Sequence, residues 1–383
     1  MTPRVFLSCG EASGDLYAGA LVREMRALLP DIDVFGLGGR EFRRAGGRVI
    51  ADCQEVTTTG LTEPIARLPQ LLAVKRRLLA AAEATRPDVF VPIDFWGFNY
   101  RLARAMKTRG VPAVYYISPQ LWASRPWRMK SMRAIARRVL VIFPFEEAIY
   151  QRGGVPVEFV GHPLVDLAAV AGSRQAFFEI QGLAPSAPTV AILPGSRPGE
   201  VTRILPDLVG AAALIATRVP SAQFVVARAP NLDEGLFESL RASGLDRAAR
   251  VRIVVGDANG VLAASDVALT ASGTATVQAA IHDTPMVIVY RVSPWTYRLG
   301  RHLVTVDTFG MVNLIAGRKI VPELIQDAFT PEAVAAEAVS MLTDTARATR
   351  IREGLRDVRN KLGEGGASRR AAAAILKVAG RTT

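Results

Sequence analysis

The amino-acid sequence predicts an α/β protein of two doubly wound domains that face one another across a cleft, closed by C-terminal helices. Three observations predict it. At 383 residues the chain is too long for one ordinary hydrophobic core and suits two. Short β-branched runs alternate with longer Ala-, Leu- and Arg-rich stretches through both halves, the signature of strand–helix repetition. The short runs are apolar on both faces, as parallel strands covered by helices on each side must be.

In the first half the strand candidates are Val5–Ser8, Val34–Gly36, Val89–Ile93, Ala113–Ile117, Val139–Phe143 and Val157–Val160. In the second they are Thr189–Leu193, Gln223–Ala227, Val251–Val255, Val267–Thr270 and Pro285–Tyr290. Turn-rich sequence between Gly161 and Pro188 marks a boundary, with Gly172-Ser173, Gly182 and the Pro185–Pro188 piece. The expected division is 1–168, 186–345 and a helical tail over 346–383 that packs back toward the first domain. Ligands of doubly wound sheets bind beyond the carboxyl ends of the strands, so chemistry is sought in the loops that follow strands.

Composition narrows the classes. Half the residues are hydrophobic, which excludes a disordered chain. Met1–Phe6 lack a charged region followed by an apolar one, so no secretory signal is expected, and no apolar run approaches the roughly 18–20 residues of a spanning helix. A cytoplasmic protein is therefore expected. Cys9 and Cys53 read as free thiols, with a structural disulfide as the lesser alternative. Three histidines and two cysteines give no zinc-site spacing. The formal net charge is +12, and no Asp or Glu occurs from Phe95 to Phe145, a stretch holding Arg101, Arg104, Lys107, Arg109, Arg125, Arg128, Lys130, Arg133, Arg137 and Arg138. That run fits either a solvated basic face or attraction to an anionic partner: nucleic acid, membrane or phosphorylated substrate.

Three strand-end loops could hold an anion. Gly10-Glu11-Ala12-Ser13-Gly14-Asp15 follows the first strand and fits a backbone nest, or equally a tight βα turn. Pro194-Gly195-Ser196-Arg197 offers close backbone approach, a hydroxyl and a guanidinium fork for phosphate oxygens. Ala271-Ser272-Gly273-Thr274-Ala275-Thr276 opens a helix with small hydroxyl residues, suited to a pyrophosphate or to simple N-capping. Two such loops in one domain favour a nucleoside diphosphate. Asp94 ends the strand Val89–Ile93 beside Phe95 and Trp96, where partial desolvation would raise its pKa toward that of a general base; capping the next helix is the alternative. In the stretch Thr59–Glu83, Leu71, Leu72, Val74, Leu78 and Leu79 form an apolar arc interrupted by Lys75, read as a core-packing helix or as one lying at a membrane surface.

Taken together these pieces resemble the lipid-A-disaccharide synthase family. The resemblance runs from Gly10–Asp15 through Thr59-Gly60-Leu61-Thr62-Glu63, Ile93-Asp94-Phe95, Ser118–Ala123, Phe143–Glu146, Gly161–Leu164, Leu193–Arg197 and Ala271–Thr276 to Asn313–Arg318. It implies a GT-B-type fold of two Rossmann-like domains. It also implies an inverting, metal-independent transfer of 2,3-diacylglucosamine from its UDP conjugate to 2,3-diacylglucosamine 1-phosphate, with UDP as leaving group. By the same resemblance Asp94 is the base, and Gly195, Ser196, Arg197, Ser272, Gly273, Thr274, Gln278 and Arg291 hold UDP. Gly10, Glu11, Ser13, Gly14, Asp15, Asn99 and Asn313 become active-site candidates, while Leu68, Leu71, Leu72, Leu78 and Leu79 face acyl chains or membrane. The implied setting is the cytoplasmic surface of the inner membrane, with no nucleic-acid partner and with a homodimer through the closing helices.

Three departures from the family pattern stand out. Its Pro-Asp-Phe-Asn after Asp-Phe reads Trp96-Gly97-Phe98-Asn99, its Trp-Ala-Trp-Arg reads Trp122-Ala123-Ser124-Arg125, and its Glu after Gly-Thr-Ala-Thr appears as Gln278. The competing expectations are another UDP-sugar enzyme of the same fold, such as a UDP-N-acetylglucosamine 2-epimerase, and a non-catalytic basic module for RNA or anionic lipid.

Overall fold

The computed structural model describes residues 2–56, 68–119, 128–170, 172–238, 240, 251–292, 308 and 310–380. The chain divides into two compact units. It passes from the first to the second between Asp166 and Leu167, and returns between Lys361 and Leu362.

The first unit carries a seven-stranded, wholly parallel sheet in the order β3-β2-β1-β4-β5-β6-β7. Its elements run β1 (Arg4–Cys9), α1 (Ala12–Leu28), β2 (Asp33–Gly38), α2 (Arg40–Arg44), β3 (Arg48–Asp52), α3 (Leu68–Thr85), β4 (Val89–Ile93), α4 (Trp96–Thr108) and β5 (Ala113–Tyr116). Then come α5 (Met129–Ile135), β6 (Ala136–Val141), α6 (Pro144–Arg152), β7 (Val157–Phe159) and α7 (Leu164–Leu167), on which the chain leaves the unit. The central strands β1 and β4 are buried along nearly their whole length, and Phe6 packs between Phe35 and Phe90 at ring-centroid distances of 5.4 and 4.8 Å. Burial on both faces explains why the strands read as continuous apolar runs.

The second unit carries a six-stranded parallel sheet in the order β10-β9-β8-β11-β12-β13. Its elements are α8 (Arg174–Gln181), β8 (Thr189–Leu193), α9 (Pro198–Arg218), β9 (Gln223–Arg228), β10 (Val251–Val255), α10 (Ala258–Ala263), β11 (Val267–Ala271), α11 (Thr274–Ile281) and β12 (Met286–Tyr290). They continue with α12 (Met311–Ala316), β13 (Glu323–Ile325), α13 (Pro331–Thr343) and α14 (Thr345–Lys361). The last helix, α15 (Ala367–Val378), belongs to the first unit, where it packs on α1. Asp166 accepts from the Gly366 N–H, and Arg370 donates to the Val160 carbonyl at 2.9 Å. The two closing helices α14 and α15 thus serve different units.

Two strands escaped the sequence reading. β3 and β13 are two of the four edge strands, and their apolar runs, Val49–Ala51 and Leu324–Ile325, are too short to stand out. Cys9 and Cys53 are buried and unbridged, and burial pushes the Cys53 thiol up to about 12. None of the described helices is long and apolar enough to cross a membrane.

His162 is buried just before the chain leaves the first unit. Its ring Nδ1 accepts from the Leu164 N–H at 3.1 Å, and its backbone N–H donates to the Leu362 carbonyl at 2.8 Å. Burial holds its pKa down at about 3. An unfolded chain takes up this proton near pH 6.5, whereas the folded chain refuses it until about pH 3. Stability is therefore full above about pH 6.5 and falls as the pH drops toward 3, by at most about 1.4 kcal/mol per pH unit for this group. His162→Gln should flatten the decline of the melting temperature with falling pH, read by thermal scans across that window.

Candidate active site

Strand order reverses between β1 and β4 in the first sheet and between β8 and β11 in the second. Such reversals open a crevice at the carboxyl edge, because the loops on either side turn to opposite faces. Gly10, Asp94, the 194–197 loop and the 271–274 loop lie at these two reversals.

In the first unit, Asp94 follows β4 and Gly10 follows β1, on strands paired Ser8 to Pro92 and Cys9 to Ile93. Asp94 and Phe95 both adopt left-handed backbone, with φ of 42° and 49°. The surroundings hold them there. The Asp94 N–H donates to the Ile117 carbonyl at 3.1 Å, and its carbonyl accepts from Asn99 Nδ2 at 2.9 Å and from the Tyr115 hydroxyl at 2.7 Å. The turn lays the Phe95 ring over Gly10, where a Cβ would stand 2.3 Å from a ring carbon, so only glycine fits. Asp94 itself is exposed, which corrects the expectation that flanking aromatics would desolvate it. Phe95 lies over Gly10, while Trp96 stacks on Tyr100 at 4.9 Å and leaves the carboxylate uncovered.

Asn99 is fully buried. Its Oδ1 accepts from Ser8 Oγ at 2.6 Å, and its Nδ2 also reaches the Ser8 and Ile93 carbonyls at 3.2 Å. It is a positioning residue that ties β1 to the Asp94 turn. Asp15, on the buried side of α1, accepts from the N–H groups of Gly39, Glu41 and Phe42 at 2.6, 2.8 and 3.1 Å and so caps α2. Gly14 packs against Cys9, with 3.2 Å from its would-be Cβ to that side chain. Glu11 and Ser13 remain partly accessible at the start of α1.

In the second unit, the loops 194–197 and 271–274 follow the paired strands β8 and β11, and Arg291 ends the adjacent β12. Gly273 is the N-cap of α11 with no side-chain cap, and Ser272, Gly273 and Thr274 are at least partly exposed, leaving a helix N-terminus open to an anion. The other loop contains a residue that sequence reasoning missed. Glu200, in the first turn of α9, accepts from the Ser196 N–H at 3.3 Å and from Arg197 Nη1 at 2.8 Å. Its side chain lies 2.7 Å from where a Cβ on Gly195 would stand, and Gly195 holds a φ of 124°, so the loop closes on this carboxylate. An acid in a first turn reads in sequence as ordinary dipole compensation, which hid its contact with Ser196 and Arg197.

Several candidates serve the scaffold. Arg291 bonds to Asp207 and to the Phe329 carbonyl and lies 4.6 Å over the Phe329 ring, so its guanidinium is committed within the unit. Buried Asn313 is satisfied on both sides: Oδ1 accepts from Ile320 and Val321, while Nδ2 donates to Val321 at 2.9 Å and Glu323 at 2.6 Å. It braces α12 against the strand β13. Gln278 donates to Asn259 at 2.9 Å. On α3, Leu78 is core, together with Val74 and Ala82, and Leu71 and Leu79 pack partly against that core. Only Leu68 and Leu72, each 43% exposed, present the apolar surface expected of this helix. The motifs Thr59–Glu63 and Gln120–Arg125 lie outside the described residues.

Replacing Asn99 by Ala strands the Ser8 hydroxyl and removes one of the two side-chain donors to the Asp94 carbonyl. The expected result is a loss of about 2 kcal/mol, seen as an earlier melting transition, with turnover falling more than donor binding.

A sequence model of the family described as lipid-A-disaccharide synthetase matches residues 5–378. The chain is 43% identical to a lipid-A-disaccharide synthase of Koribacter versatilis, over 99% of both chains. It is 41% identical to that of Myxococcus xanthus, over 98% of this chain and 97% of the relative. Among solved structures, UDP-GlcNAc 2-epimerase from Neisseria meningitidis, bound to UDP-GlcNAc, superposes with a TM-score of 0.67 at 12% identity over 98% of this chain and all of that one. MurG from Acinetobacter baumannii gives a TM-score of 0.58 at 15% identity over 98% of this chain and all of that one. At such identities these two show the shared fold alone, that of GT-B glycosyltransferases and epimerases. Matched along nearly its whole length, the chain belongs to the lipid-A-disaccharide synthase family of glycosyltransferases.

Proposed function

We propose that this glycosyltransferase condenses UDP-2,3-diacylglucosamine with 2,3-diacylglucosamine 1-phosphate, giving the β-1,6-linked disaccharide 1-phosphate and UDP, at the cytoplasmic face of the inner membrane. The observation that carries the reading is the placement of Asp94: an exposed carboxylate on a clamped, left-handed turn at the sheet reversal of the first unit.

In this reading Asp94 takes the proton of the acceptor's 6-hydroxyl as its oxygen attacks the anomeric carbon of the donor. The bond from that carbon to the diphosphate breaks, its electron pair leaves on UDP, and configuration inverts. General-base catalysis of this kind contributes about a hundred- to ten-thousand-fold. The departing diphosphate is met by Arg197 and by the open N-terminus of α11 at Gly273 and Thr274, so the reading requires no metal. Asn99 and Tyr115 hold the base in place and touch no substrate.

The decisive measurement is UDP release from UDP-2,3-diacylglucosamine in neutral detergent, with and without the acceptor. Release that depends on the acceptor is expected. Release without acceptor, or epimerised sugar among the products, would favour the epimerase reading instead. Asp94→Asn should lose at least about a hundredfold in turnover while UDP still protects the protein against heat. Glu200→Gln should tighten UDP binding several-fold by calorimetry, since a carboxylate no longer competes for Ser196 and Arg197; weaker binding would mean that Glu200 shapes the loop rather than competing with the ligand.

A further inference from the structure

Glu200 holds the two groups that a diphosphate in its loop would use. Its Oε1 accepts from Arg197 Nη1 at 2.8 Å, and its Oε2 from the Ser196 N–H at 3.3 Å. A backbone N–H carries one proton, so this carboxylate and a phosphate oxygen exclude one another at Ser196. Two anions beside one guanidinium also repel. Binding therefore requires another place for the carboxylate, and the surroundings of α9 provide one.

Glu200, Arg203 and Asp207 stand at i, i+3 and i+7 and share one face of α9. Asp207 is taken by Arg291 from the end of β12. Arg203, between the two acids, is exposed, and among the described residues its side chain has neither a hydrogen bond nor an ion pair. The acid left for it on its own helix is Glu200, one turn toward the N-terminus, which is the favourable order for such a pair.

Tyr290 ends β12, one residue before Arg291, and the pairing of Arg291 with Asp207 lays this strand end along the same face of α9. The Tyr290 hydroxyl is partly buried and has no hydrogen-bond partner among the described residues. Burial pushes its pKa up; the Glu200 carboxylate adds to that, while Arg197 and Arg203 oppose it. All three charges thus act on the hydroxyl, which keeps its proton at neutral pH and remains a donor.

We propose that Arg203 and Tyr290 are positioning residues of the donor site, which take the Glu200 carboxylate when the donor's diphosphate takes Ser196 and Arg197. This rests on the UDP site proposed above and gives its carboxylate a second resting place. Neither residue touches the donor, and each acts through Glu200. Only hydrogen bonds are exchanged: the two from Ser196 and Arg197 pass to the diphosphate, and two new ones reach Glu200 from the Arg203 guanidinium and the Tyr290 hydroxyl.

Calorimetry with UDP tests this through double-mutant cycles, one for each residue. Arg203→Gln and Tyr290→Phe should each weaken UDP binding about two- to fivefold, the range for losing one exposed ion pair or one hydrogen bond. Arg203→Lys should bind UDP as the unmodified protein does. Introduced into Glu200→Gln, the same two substitutions should leave UDP affinity unchanged, because no carboxylate has to be rehoused. Unshifted melting of the ligand-free variants verifies that each is folded. An equal loss in the Glu200→Gln background would place that residue on the diphosphate itself. Unchanged binding in both backgrounds would mean that Glu200 stays where it is. Either result overturns the proposal for the residue concerned. Should the unmodified protein bind no UDP, the nucleotide reading fails, and inorganic pyrophosphate, which needs only Ser196 and Arg197, carries the same cycles; binding of neither overturns both.

Discussion

Asp94 and Phe95 sit side by side at positive φ, a conformation that costs a non-glycine residue about 1–3 kcal/mol. Two such residues in succession persist only because their neighbours leave no alternative. Asn99 and Tyr115 grip the Asp94 carbonyl, Ile117 takes its N–H, and the Phe95 ring occupies the space that Gly10 vacates. The turn is thus determined by β1, β4, α4 and β5 together. That is why the glycine-rich loop after β1 and the carboxylate after β4 must be described as one feature: the loop exists in its observed form because the aromatic beside the carboxylate covers it.

The second unit uses the same sheet reversal in another way. Its carboxyl edge presents open backbone at the start of α11, and a loop at the start of α9 that is closed by Glu200. Little strain is stored there, and the electrostatics of helix N-termini dominate. One unit therefore fixes a side chain in a costly conformation, while the other exposes inexpensive peptide dipoles. The contrast follows from the chemistry proposed: a base must be aimed at one oxygen, whereas a diphosphate presents many.

Much of this architecture was legible in the sequence. Interior parallel strands have to be apolar on both faces, so β1, β4, β8 and β11 announce themselves, and with them the loops at the two reversals. Of the four edge strands, β7 and β10 carry enough Val and Ile to be read, while β3 and β13 do not. Polar residues were harder. Asp15, Asn99 and Asn313 lie in motifs that resemble an active site, yet each is a buried group whose hydrogen bonds are met by the protein itself. A pattern of residue types does not say whether a donor faces a ligand or a neighbouring carbonyl. The helix α3 shows the same limit in apolar terms: its leucines divide between core and surface according to which stripe the rest of the unit covers, a fact its own periodicity does not contain.

The first unit is closed by α15, whose Ala371, Ala372, Ile375 and Leu376 are buried and which packs against α1. The earliest and latest helices of the chain thus share one core. On a ribosome, the amino-terminal unit would emerge first and wait, with one flank of α1 uncovered, until some two hundred intervening residues had been made. The second unit, drawn from the chain between Leu167 and Lys361, has no such delay. The order of completion is then the reverse of the order of synthesis, and the exposed flank of α1 is the surface on which a nascent chain of this kind would most need shelter.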